Sequence, residues 1–238
     1  MTGDSPAPLQ IFTYLDGRIP VRCHDHVAVV HRGGDSATRG MEFLREGLSR
    51  GDWCCCRAPS DSRANLSARF RELGFEVKQP QVGRMLQLPP EPPSMGDWLK
   101  EAKRFFALAE AAHAPGVRWL EEGVWTRTPG KSTTRFFELH SQLNYLVKQY
   151  PSVALCFYDP ERLETPELFS AIAVHRHLLV DETMVRDNPF YIPAEKYLAL
   201  SPEERGSDLR EIYREVGFDL ERLLATLAGY GRLQKPGA

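Results

Sequence analysis

No stretch of the chain holds the roughly 18 consecutive apolar residues of a membrane helix, so no spanning segment is expected. An excess of one charge is missing too. Its 30 Lys and Arg against 32 Asp and Glu leave a formal net charge of -2 and a pI near 6.4. That balance argues against direct nucleic-acid binding, which uses a basic footprint. Met1 to Pro8 lacks both the basic region and the apolar stretch of a signal peptide, so a cytoplasmic location is expected. The five cysteines include no C-x-x-C pair. Cys54-Cys55-Cys56 would alternate between the two faces of a strand, so they form no single metal face and read as buried strand. G-x-S-x-G, H-E-x-x-H and the Rossmann glycine pattern are all absent. No nucleophile, metal or cofactor is therefore assigned.

A further absence is more specific. Residues 24 to 48 read as a buried strand, His26 to His31, a Gly33-Gly34 turn and an amphipathic helix through Met41, Phe43, Leu44 and Leu48. A nucleotide-binding protein would place G-x-x-x-x-G-K-[ST] at this turn, to hold phosphates with backbone N–H groups and a lysine. Here it reads Gly33-Gly34-Asp35-Ser36-Ala37-Thr38-Arg39, with an acid where phosphate would approach. Gly130-Lys131-Ser132-Thr133 carries the lysine but follows a late strand, and Trp125 occupies the place of its first glycine. Turn and cap chemistry after Pro129 explains it. A layout for nucleotide without its cradle points to sensing or scaffolding.

Short apolar runs alternate with helical periodicity, which indicates an α/β fold with a mostly parallel sheet. Strands are expected at 26–31, 53–57, 84–88, 117–121, 152–158 and 177–181, and helices at 36–49, 62–73, 94–113, 132–149 and 166–174. The prolines of 89–93 form a stiff loop that leads to Ser94, a helix N-cap. Ser201-Pro202-Glu203-Glu204 has capping-box spacing, and Asp219 can cap a last helix. Residues 229–238 are expected to fray. This divides the chain into an N-terminal segment 1–23, a domain 24–193 and a helical extension 194–238.

Glu121-Glu122 ends a strand and Trp125 follows, where open α/β sheets place their ligand crevices. Their alternative reading is solvation of a strand end. His24 and His26 share a strand face, with His31 nearby and His175 and His177 as a second such pair. Without a cysteine-histidine companion at zinc spacing, they read as strand-end histidines bonded to loops. Asn188-Pro189-Phe190-Tyr191 reads as a turn packed onto the core.

These pieces, in order, resemble the MEDS domain, a methanogen/methylotroph sensory domain, over about residues 24 to 193. The likeness rests on His26-Val27-Ala28-Val29-Val30, on Phe43-Leu44-Arg45-Glu46-Gly47-Leu48-Ser49-Arg50-Gly51 and on Phe70-Arg71-Glu72-Leu73-Gly74. It continues through Glu121-Glu122-Gly123-Val124-Trp125, Leu143-Asn144, Ala154-Leu155-Cys156-Phe157-Tyr158-Asp159, His175 and Asn188-Pro189-Phe190-Tyr191. His31, Leu139-His140 and Arg176 depart from the family pattern. The resemblance implies a three-layer, RecA/KaiC-like fold without Walker motifs and a sensory role in transcription or signalling, toward hydrocarbon derivatives or other small molecules. A small-molecule site is expected at His31, Gly33, Asp35, Ser36, Glu122, Trp125 and His175. The alternative is a degenerate RecA/KaiC-like ATP-binding protein with residual nucleotide affinity. An enzyme using Glu122 with His31 or His175, and a DNA-binding regulator, are further rivals. Leu209, Ile212, Tyr213 and Val216 form one apolar stripe, and Leu220, Leu223, Leu224 and Leu227 another. Because 24–193 completes the domain, a second chain is expected to cover them, as a homo-oligomer or a regulatory partner at residues 201–228.

Overall fold

The computed structural model describes residues 10–32, 36–58, 60–75, 86–90, 94–122 and 133–234. An antiparallel hairpin, β1 (Ile11–Leu15) and β2 (Ile19–Arg22), precedes the main sheet. Then follow β3 (His26–Val30), α1 (Ser36–Arg50), β4 (Trp53–Arg57), α2 (Ser60–Glu72), β5 (Leu86–Gln87), α3 (Met95–Ala111) and β6 (Val117–Glu122). The order continues with α4 (Thr133–Gln149), β7 (Ser152–Tyr158), α5 (Thr165–Val174), β8 (His177–Val180) and β9 (Thr183–Val185). Three helices complete it: α6 (Ala194–Ala199), α7 (Pro202–Ile212) and α8 (Leu220–Leu233).

The main sheet runs β5-β4-β6-β7-β3-β8-β9, parallel except for β9. Both faces are covered, which is why its strands are continuously apolar rather than alternating. Cys54 and Cys56 face the layer of α1, α2 and the hairpin, with Val27, Val29, Leu44 and Phe70. Cys55 faces the opposite layer with Trp119, Phe105 and Phe137. The three-layer, mostly parallel α/β arrangement expected from the sequence is therefore present. Ser94 caps α3, accepting from Asp97 N, and both Ser201 and Asp219 cap their helices as their spacing indicates.

One buried cation organises the hairpin side. Arg118 of β6 is fully buried, and its Nε donates to Asp52 Oδ2 at 2.8 Å. Its Nη1 donates to Phe43 O at 2.8 Å and meets Glu46 Oε2 at 3.2 Å. The guanidinium lies over the rings of Phe43 and Phe12, at 4.9 and 5.3 Å. Gly47 leaves room for it, since a Cβ there would stand 2.3 Å from Arg118 Cδ. Gly51 ends α1 at φ +85, a conformation that side chains disfavour. The Phe43-to-Gly51 motif is thus an arginine socket with its helix stop.

The tail corrects an expectation. Its stripes are covered by the chain itself: Tyr213, Val216, Leu223, Leu224 and Leu227 are buried in one core with Leu168, Phe169 and Val185. Tyr213 Oη donates to Phe169 O at 2.7 Å, and Phe190 stacks on its ring at 5.2 Å. α8 runs to Leu233 instead of fraying from Gly229, because it seats on β9. Gly231 permits that approach, since a Cβ there would stand 3.0 Å from Met184 O. The hairpin, β9 and α6 are short elements that periodicity did not reveal. Asn188 packs inward as expected, donating to Ile172 O and His175 O at 2.8 and 3.0 Å.

Three substitutions check this packing. Arg118→Ala should cost about 3–5 kcal/mol in urea unfolding, because it leaves Asp52 buried without its partner. Arg18→Ala, which breaks an exposed pair with Glu182, should cost about 0–1 kcal/mol. Tyr213→Ala should destabilise the monomer by about 3–5 kcal/mol, independent of protein concentration. A stability loss that tracked dimer dissociation would restore the second-chain reading of the tail.

Candidate functional site

The expected site residues do not all meet. His31 follows β3 at the carboxyl end of the sheet, its backbone N–H donating to Tyr158 O at 3.2 Å and its ring edge-on to Phe157 at 5.8 Å. Ser36 opens α1 and Glu122 closes β6, so their backbones stand at the same end. Gly33, Asp35 and Trp125 lie outside the described residues, as does the Gly130-Lys131-Ser132 run. His175 is elsewhere: it caps the C-terminus of α5, fully buried, with its ring 4.2 Å from that of His26. His26 begins β3 whereas His31 lies beyond its end, so His31 and His175 belong to different places. The histidine pairs are split in the same way. His24 binds Val147 O through Nδ1 at 2.6 Å, and His177 Nε2 stands 3.5 Å from Asp25 Oδ1.

A cavity of about 170 Å³ opens at the carboxyl ends of β4 and β5 against α3. Cys55, Phe105, Leu108 and Trp119 give it apolar walls, and Arg57 and Glu101 supply charge. Those two form an ion pair at 2.8 Å, with the Arg57 side chain nearly buried. The guanidinium also lies over the indoles of Trp98 and Trp119, at 5.5 and 5.7 Å.

Behind Trp119, a polar cluster interrupts the apolar layer. Glu121 is fully buried and accepts from the indole N–H of Trp98 at 3.0 Å and of Trp119 at 3.1 Å. Its Oε2 also stands 3.6 Å from His140 Nε2. Beyond His140 lie His26, His175 and Cys156, all buried, and one ligand atom from each of the four falls within 4.8 Å of the others. This is a donor set able to hold a metal. Burial holds the imidazoles of His26 and His140 well below the usual histidine range, with the neighbouring His175 adding to it. Burial likewise lowers His175 to about 4 and pushes the Cys156 thiol well up. The three imidazoles are therefore neutral near pH 7, and the thiol is protonated.

Sequence reasoning placed Glu121 at the ligand-facing strand end rather than in this buried cluster, and it did not single out His140 or Cys156 as site residues. A signal existed in α4, whose inward stripe Phe136, Phe137, Leu143 and Val147 carries His140 and Asn144 four residues apart. Polar residues on such a stripe mark a buried network.

Fold and site together describe a three-layer α/β domain with a ligand-sized cavity at its sheet's carboxyl end and no output module visible among the described residues. The chain belongs to the MEDS family, the MEthanogen/methylotroph, DcmR Sensory domain, whose profile matches residues 25–176. It is 23% identical over 154 residues to the transcriptional repressor DcmR of Methylorubrum extorquens. That match covers 64% of this chain and 58% of the repressor, so the likeness spans little more than half of that protein. A KaiC-like protein, PH0186 of Pyrococcus horikoshii, superposes with a TM-score of 0.44 at 14% identity, over 72% of this chain and 80% of that one. No helix among the described residues is long and apolar enough to cross a membrane.

The buried histidines set a pH dependence in the chelator-treated protein. Their folded pKa values lie below the unfolded value of about 6.5, with His175 and His177 both near 4. Below about pH 6.5 the unfolded chain takes up protons that the folded chain refuses, so stability is full above that pH and falls as pH drops toward 4. Each histidine should contribute a slope of up to about 1.4 kcal/mol per pH unit. Urea unfolding between pH 7.5 and 5 should show it, and His175→Gln should reduce the slope. An unchanged slope would refute the assignment of His175.

Proposed function

We propose that this chain is a non-catalytic sensory protein whose ligand is a small, largely apolar molecule bound at the carboxyl end of its sheet. The observation that carries this reading is the cavity between β4, β5 and α3. It lies where open α/β sheets receive ligands, and its size suits a benzene-sized or smaller molecule. Apolar walls would supply most of the binding, with the Arg57–Glu101 pair orienting one polar group. His31 and the backbones of Ser36 and Glu122 stand at the same carboxyl end of the sheet, apart from the residues that line the cavity. Membership of a sensory-domain family and likeness to a repressor support a regulatory outcome, in transcription or signalling. A protein partner or a second copy would receive the signal. The tail offers such a partner Phe218 and Tyr230, which are exposed, rather than its buried stripes.

Calorimetry with benzene and with short haloalkanes tests this directly. The full chain should bind at least one of them, and Leu108→Trp, which fills the cavity, should abolish the heat while leaving the melting temperature within a few degrees. Absence of binding to every such probe would sink the cavity reading. Heat from magnesium-ATP alone would favour the nucleotide-binding alternative instead.

A further inference from the structure

The geometry points to a site for one divalent transition-metal ion, zinc foremost, held by His26, His140 and His175 with the thiolate of Cys156. The four residues come from four separate elements: β3, α4, the C-terminus of α5 and β7. All are buried, and no cysteine-histidine sequence spacing unites them. The fold alone assembles the set.

Tautomers follow from their fixed partners. Asn144 Nδ2 donates to His140 O, Ser141 O and Val174 O, at 3.2, 3.4 and 3.1 Å, so its Oδ1 must be the acceptor facing His26. His26 Nδ1 therefore donates to that oxygen at 3.0 Å, and its Nε2 turns a lone pair on Cys156 Sγ at 3.3 Å. His175 Nδ1 stands 2.7 Å from Ala171 O, which can only accept, so its Nε2 also carries a lone pair. His140 presents Nε2 to the Glu121 carboxylate and Nδ1 to Cys156 Sγ, the latter at 3.6 Å. Metal-binding histidines show this same outer pattern, with the second ring nitrogen turned to a carbonyl or a carboxylate.

Hydrogen bonding alone leaves the cluster short. Three imidazole lone pairs converge on a single S–H, and His175 Nε2 is buried without any hydrogen bond. A tetrahedral zinc, with bonds of about 2.0–2.3 Å, places neighbouring ligand atoms about 3.3–3.8 Å apart. The two Cys156 edges, at 3.3 and 3.6 Å, already have that length, and all the ligand atoms lie within 4.8 Å of one another, so the wider edges would have to shorten by about 1 Å on binding. On binding, the Cys156 S–H bond breaks, a sulfur–metal bond forms and one proton leaves to solvent. The dication and the thiolate then carry one net positive charge. The Glu121 carboxylate, 3.6 Å behind His140, stands ready to offset it. The donor set of imidazole and thiolate suits zinc or cobalt over magnesium or calcium.

Cobalt(II) is the probe. The full chain, refolded with one equivalent of Co²⁺, should show the visible bands of tetrahedral cobalt and a near-ultraviolet thiolate-to-cobalt band, both bleached by Zn²⁺. Cys156→Ser should lose the thiolate band although Cys23, Cys54, Cys55 and Cys56 remain. Asn144→Leu, folded by circular dichroism, should weaken cobalt affinity roughly 10–100-fold through its ring-orienting role. No stoichiometric cobalt spectrum from the refolded native chain would overturn the site. A thiolate band that persists in Cys156→Ser would overturn it too. Because the readout needs no organic ligand, its outcome is independent of the cavity proposal.

Discussion

The Arg118 guanidinium is the contact on which this architecture most depends. It sits at the centre of the sheet's hairpin side, where a cation without partners would be strongly unfavourable. Satisfying it requires Asp52 at the start of β4, Glu46 and a carbonyl from α1, and aromatic faces from α1 and the hairpin. Four elements are thereby held in a single relative placement. Gly47 in the family motif is a consequence of that demand for space, while Gly51 at φ +85 supplies the stop of α1. Attraction between the charges does not by itself make such a pair stabilising. Its effect is specificity: a β6 shifted by one residue would turn Arg118 into the apolar layer of Trp119 and Phe106.

The opposite layer contains a different kind of constraint. Three histidines, a cysteine and a glutamate are buried among Trp98, Phe136, Phe137 and Tyr158, where isolated polar groups are costly. The network is organised in ranks. Asn144 orients His26, the Ala171 carbonyl orients His175, and the two indoles orient Glu121. Trp119 belongs to both the network and the cavity wall, and Arg57 lies over its indole. The Trp119 indole thus joins the cavity wall to Glu121, whose carboxylate stands 3.6 Å from His140.

The tail illustrates how local reading misassigns a surface. Its stripes are apolar and periodic, so they need a cover, and the family motifs alone place none for them within 24–193. The cover is α5 with the β8–β9 edge. β9 has three residues and only one fully buried side chain, so it carries almost no periodic signal. Its pairing with β8 is what creates the seat for α8.

Hydrophobic periodicity and breakers by themselves determined the strands and helices from β3 to β8, the caps at Ser94, Ser201 and Asp219, and the alternate facing of Cys54, Cys55 and Cys56. These are local properties, set within one turn of helix or a few residues of strand. The motif order also carried the family. Only the tertiary structure decided which histidines meet, because His26 and His175 are nearly 150 residues apart and join through parallel strands whose register no single segment encodes. It also decided that Glu121 is buried against Trp98 and Trp119, since that follows from the pleat and from the neighbours of β6. The cluster exists because four elements cross at one point, and such a crossing is a property of packing, not of any stretch of chain.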